Sequence, residues 1–180
     1  AVEAIVEGWY LGSETGHALA DVLTGAVNPS GKLPFTWPVK LEDVGAHALV
    51  TYPGTRREGS DIVDEEYEDG IYVGYRWADK HGIKPLFAFG HGLSYTKFDW
   101  DTLSVTMEDQ QIRWEVSVTN TGEMAGKETV QIYAQSPYTD YDKENKVEKA
   151  AVQLIGFGKT DILAPGAYAT VTMPVNKRDL

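Results

Sequence analysis

The chain contains no cysteine, so neither disulfides nor thiolate metal ligands can hold it together, and nothing marks its redox compartment. No apolar run approaches the roughly 18 residues that a membrane-spanning helix needs, and no signal peptide is visible. The chain opens without Met inside an apolar run, as an internal piece of a longer polypeptide would. Basic residues are also scarce: 16 Lys and Arg stand against 27 Asp and Glu, a formal charge of −11. Phosphate binding rests on clustered Lys and Arg, so nucleic acid and anionic membranes fall away as partners. Neutral ligands such as sugars stay compatible, and the acidic excess serves solubility.

Local catalytic signatures are missing too. No Gly-x-Ser-x-Gly elbow surrounds Ser13, Ser30 or Ser94. His17, His47, His81 and His91 lack the i, i+4 spacing of a helical zinc site. Gly12, Gly16, Gly25 and Gly31 fit neither the dinucleotide nor the P-loop spacing. Asp140 to Glu144 starts like a calcium loop, but Asn145 stands where the sharp-turn Gly belongs and Ala151 where the bidentate Glu belongs, so a solvated loop is expected. The acidic run Asp61–Asp69 lacks the calcium-loop order as well and reads as a solvated loop that places Tyr67. No metal ligand or cofactor is assigned.

What is present is organised around Gly12–Pro38. Ser13 suits an N-cap, Glu14 puts a carboxylate at the positive end of a helix dipole, and Ala18, Leu19, Val22 and Leu23 recur at helical spacing. Gly25 stops the helix. Asn28-Pro29-Ser30-Gly31 has the residues of a type I turn, and Lys32–Trp37 resumes as a strand. The apolar run Ala4–Trp9 before the helix suits a buried parallel strand. The order strand, helix, strand implies a right-handed crossover in an α/β layer, whose ligand edge would be the loop Tyr10–Glu14.

Val39–Gly59 reads as an extended surface segment. From Gly70 the chain becomes dense in aromatics and glycines; Ile71, Val73 and Tyr75 alternate with Tyr72, Gly74 and Arg76 as in a strand. Such a segment either wraps over a neighbour and packs its rings, the favoured reading, or presents them to sugars. From Asp99 onward alternation dominates. Leu103, Val105 and Met107, then Ile112, Trp114, Val116 and Val118, then Val130, Ile132 and Ala134, and lastly Ala169, Val171, Met173 and Val175 each fall on one face. Asp109-Gln110 leaves room for a hairpin, and Asn120-Thr121-Gly122 and Pro165-Gly166 read as turns. About five strands fit, where a closed immunoglobulin-like sandwich needs about seven, so an uncovered core face is expected. The expected fold class is therefore an α/β layer fragment followed by an all-β immunoglobulin-like sandwich, truncated at both ends.

Five stretches in order carry a family resemblance: residues 7–38 (EGWYLGSETGHALADVLTGAVNPSGKLPFTWP), 67–79 (YEDGIYVGYRWAD), 85–98 (PLFAFGHGLSYTKF), 118–126 (VTNTGEMAG) and 155–166 (IGFGKTDILAPG). Together they resemble glycoside hydrolase family 3. The resemblance implies that residues 1–97 are the last part of that family's α/β sandwich domain with its trailing wrap, and residues 98–180 an incomplete fibronectin type III-like domain. It also implies a parent that is a retaining β-glucosidase or β-xylosidase, whose aspartate nucleophile and acid/base glutamate have no counterpart in this chain. No catalytic residue is assigned, and the segment alone is expected to be inactive. Trp9, Tyr10, Glu14, Tyr67, Tyr72, Tyr75 and Trp77 are the candidates for peripheral sugar contact. The implied partners are the barrel, the remaining α/β sandwich and a β-linked glycoside, with a homo-oligomer left open and a periplasmic or extracellular setting favoured over a cytoplasmic one. A non-catalytic carbohydrate-binding or anchoring sandwich is the alternative.

Overall fold

In the computed structural model, which describes residues 2–179, the first helix α1 covers Thr15–Thr24 and ends where expected: Gly25 adopts φ 78° and its N–H returns to the Val22 carbonyl. Its start differs. Gly12–Glu14 form a 3-10 turn, so Ser13 lies inside the turn and caps nothing. Glu14 instead meets His17 Nδ1 at 2.8 Å. The strands expected on either side also differ. Residues 4–9 form no strand and pair with none among the described residues. Residues 33–37 pair antiparallel with 86–91, through Leu33 N–H to His91 O, Gly90 N–H to Leu33 O and a bridge between Trp37 and Phe87. The parallel crossover is thus not formed within the described residues. Residues 28–31 form no turn, since the Asn28 side chain is engaged by distant partners.

The segment expected to be extended carries structure: a 3-10 turn at Leu41–Asp43, helix α2 (Gly45–Ala48) and strand β1 (Thr55–Arg56), which pairs with β2 (Val63–Asp64). The acidic run is accordingly only part loop, because Arg56 and Arg57 draw Asp61 and Asp64 into ion pairs. Residues 75–81 form helix α3 (Tyr75–His81) rather than a strand. Gly74 at φ 63° breaks the extended run, and burial of the adjacent Trp77 and Ala78 on one helix face outweighs the short alternation before it.

The second half matches the alternation except at Leu103, where a bulge puts Thr102, opposite Val116, on the same face as Val105, opposite Trp114. Strands β3 (Phe98–Met107), β4 (Gln111–Asn120), β5 (Thr129–Ala134), β6 (Gln153–Lys159) and β7 (Tyr168–Asn176) form two antiparallel sheets, β3-β4-β7 and β5-β6, and helix α4 (Asp140–Glu144) lies in the β5–β6 connection. The hairpin falls at Asp109-Gln110, with Glu108 N–H donating to Gln111 O. Val116, Val118, Val130, Ile132, Val171 and Met173 interdigitate with Leu163 between the sheets. Register places Trp100 opposite Val118, Val105 opposite Trp114 and Met107 opposite Ile112, so all three share the core-facing side. Yet all three are exposed, Met107 at 73%, because the two-stranded sheet does not reach across β3. This is the uncovered core face anticipated from the strand count.

Asn120 is not a surface turn residue. It ends β4 fully buried, and its carboxamide accepts from Thr96 Oγ1 (2.7 Å) and Gly122 N–H (3.1 Å) while donating to Met124 O and Leu163 O (both 2.8 Å). A buried Asn costs stability unless its polar atoms are paired, and here they are.

Candidate functional site

The most exposed cluster of aromatic rings lies along the paired segments 33–37 and 86–91. Trp9, with φ 49°, sets its ring edge-on to Phe35 at 5.5 Å between centroids; Phe35 lies 5.5 Å from Trp37, Trp37 6.3 Å from Phe87, and Phe87 stacks on His91 at 5.0 Å. Trp9 remains 55% exposed and Tyr10 beside it fully so. Glu14 lies one turn further on. Such rings offer apolar faces that suit either a packing partner or the apolar face of a pyranose. Phe35, Trp37, Phe87 and His91 were not singled out from the sequence. The signal present was an aromatic at every second position of Phe35-Thr36-Trp37 and of Phe87-Ala88-Phe89.

The remaining candidates separate by environment. Tyr67 is 89% exposed. Tyr72 is buried, with Lys80 Nζ 3.4 Å above its ring and its hydroxyl 3.5 Å from Lys149 O. Tyr75 packs on Phe89 and Tyr133, and its hydroxyl accepts the Leu154 N–H at 3.0 Å. Trp77 is buried against His81, ring centroids 4.0 Å apart. The wrap thus lays Tyr72 and Tyr75 against the β5–β6 side of the sandwich, and the structure does not bring these rings together with Trp9 and Tyr10 into one row.

Among the described residues, two surface hollows are the best formed. One of about 470 Å³ lies over residues 56–61, where Asp61 is already bound to Arg56 at 2.8 Å. The other, about 480 Å³, opens between Tyr72 and Lys80 of the wrap and residues 135–138 and 149–151, and no carboxylate lines it. Neither presents two uncompensated carboxylates across a sugar-sized gap, the arrangement glycoside hydrolysis needs. Among the described residues no group of three or more His, Asp and Glu could hold a metal ion. In the calcium-like stretch, Asp142 is buried and its oxygen accepts from Lys149 Nζ (2.8 Å), the Thr139 N–H (2.7 Å) and the Thr139 hydroxyl (2.8 Å). Chiefly the Lys149 ammonium, then Thr139, holds this carboxyl down to about 2. The loop expected there is helix α4, capped by Thr139.

Comparison with known proteins fits this arrangement. Residues 1–95 match the glycosyl hydrolase family 3 C-terminal domain, and residues 128–180 a fibronectin type III-like domain. A β-glucosidase of Bacteroides ovatus is 44% identical over 168 residues, covering 90% of this chain and 21% of the relative. The thermostable β-glucosidase B of Acetivibrio thermocellus is 44% identical over 181 residues, 98% of this chain and 22% of the relative. Among solved structures, β-glucosidase 3B from Thermotoga neapolitana in complex with glucose superposes with a TM-score of 0.81 at 41% identity, covering 93% of this chain and 22% of that one. The chain therefore spans about a fifth of the length of the relatives it matches. With an α/β-type domain leading into a fibronectin III-like sandwich in both sequence and structure, the chain belongs to glycosyl hydrolase family 3.

Proposed function

We propose that this chain is the supporting C-terminal portion of a retaining β-glucosidase that acts from the non-reducing end of its substrate. The observation that carries the reading is that the matched relatives are β-glucosidases while neither hollow on this chain offers a free pair of carboxylates. In retaining hydrolysis one carboxylate attacks the anomeric carbon and a second, about 5 Å away, protonates the leaving oxygen and then activates water. This chain supplies neither group. Its contribution is rigidity: residues 1–97 belong to the α/β domain, and residues 98–180 form the sandwich that braces it, so that reacting groups carried elsewhere keep their separation.

Within that reading the exposed Trp9, Tyr10, Glu14 and Tyr67 are the ones free to contact sugar at the periphery, whereas Tyr72, Tyr75 and Trp77 are packed within the chain. Incubation of the purified chain with an aryl β-glucoside tests the assignment: no turnover is expected, and turnover by the chain alone overturns it. In the complete enzyme, faster hydrolysis of the β-glucoside than of the β-xyloside is the expected order, and the reverse order makes it a xylosidase.

A further inference from the structure

The segment that reads as a type I turn is instead the meeting point of three distant stretches of chain. Asn28 Oδ1 accepts from Ser94 Oγ (3.0 Å) and Tyr95 N–H (2.9 Å), while its Nδ2 donates to Ala125 O in the sandwich (3.0 Å). Ser30 O accepts from Lys159 Nζ of β6 at 2.9 Å. Lys32 Nζ, mostly buried, donates to Gly92 O (3.0 Å) and pairs with Glu128 (2.8 Å) at the foot of β5. Glycines permit the approach: a Cβ on Gly126 would lie 2.6 Å from Asn28 Nδ2, and one on Gly92 would collide with the Gly31 carbonyl. The contacts continue inward, from Ser94 Oγ to Thr96 N–H (3.2 Å) and from Thr96 Oγ1 to the buried Asn120.

We infer that Asn28 is the positioning residue of an interdomain clamp: one carboxamide reads the linker with its oxygen and the sandwich with its nitrogen, fixing the sandwich against the segment that ends α1. The amide is needed because only it both accepts and donates in a plane. Asn28→Asp keeps the acceptor for Ser94 and Tyr95 but sets a carboxylate oxygen against the Ala125 carbonyl, so it breaks the sandwich half alone. The clamp is geometric and does not depend on the glycosidase reading.

Hydrogen exchange on the intact chain tests it. In Asn28→Asp the Gly126 amide, next to the lost Ala125 contact, exchanges tenfold or more faster, while Tyr95, which keeps its acceptor, and Val116 and Val118 in β4 exchange at the parent rate. Ser94→Ala, which removes the bond to Asn28 and the acceptor of the Thr96 N–H, both on the linker side, leaves Gly126 at the parent rate. Because Asn28→Asp could impair folding, Lys159→Met gives a second measurement. It removes the Ser30 bond from an exposed lysine, and amides of residues 30–33 then exchange at least threefold faster. Parent-like exchange at Gly126 in Asn28→Asp overturns the clamp. So does parent-like exchange of residues 30–33 in Lys159→Met, should the first variant not fold.

Discussion

Asn120 and Asp142 illustrate how much a single polar side chain carries once buried. Replacing Asn120 by Ala strands the Thr96 hydroxyl, the Gly122 N–H and the Met124 carbonyl, and leaves the Leu163 carbonyl with the Gly126 N–H alone. A destabilisation of about 3 kcal/mol is expected in urea unfolding, more than for any one exposed hydrogen bond. Asp142 gives a pH signature. Its carboxyl titrates at about 2 when folded against an ordinary 3.8, so its ion pair with Lys149 stabilises fully above the higher value and is lost as pH falls through the lower. The melting-temperature gap between the parent and Asp142→Asn is therefore expected to be constant near neutrality, to shrink from about pH 4 and to be mostly closed at pH 2. A gap that persists at pH 2 contradicts the assignment.

Among the elements, β6 shows why one strand escapes an alternation search. Its inward positions include Gly156 and Gly158, because Val175 from β7 reaches toward the first and Val171 and Met173 toward the second. A Cβ on Gly158 would meet Val171 Cγ1 at 2.5 Å. Val171 is β-branched and buried, so it yields poorly, and Gly158→Ala is expected to cost about 2 kcal/mol by denaturant titration. The converse change in β4, Val118→Ala, empties a site with no solvent exposure and is expected to cost a similar amount, about 2 kcal/mol. Helix α3 escapes the periodicity of its sequence for a related reason. Three alternating residues before Gly74 form too short a window to outweigh the burial of Trp77, which α2 covers from the far side through Gly45.

At the scale of the whole molecule, two belts join the first 97 residues to the sandwich: the clamp at residues 28–32 and the aromatic wrap over β5 and β6. Tyr75→Phe keeps the ring contacts with Phe89 and Tyr133 but strands the Leu154 N–H, so a loss of about 1 kcal/mol is expected with the sandwich core otherwise intact. Calorimetry on the variant checks it; a loss several times larger would place Tyr75 in the core of the fold rather than at a seam.

What the sequence alone determined is what repeats or punctuates locally: the alternating faces of β4, β5 and β7, the hairpin at Asp109-Gln110, the stop of α1 at Gly25, and five ordered motifs that identify the family. The tertiary structure decided the rest. It turned Asn28 and Asn120 from turn residues into hubs, buried Asp142, bent residues 75–81 into a helix, and sorted the candidate aromatics into exposed and packed. The physical reason is range. Periodicity and turn chemistry act over a few neighbours and leave a trace in composition, whereas the partners of Asn28 and Lys159 lie 66 to 129 residues away and leave none.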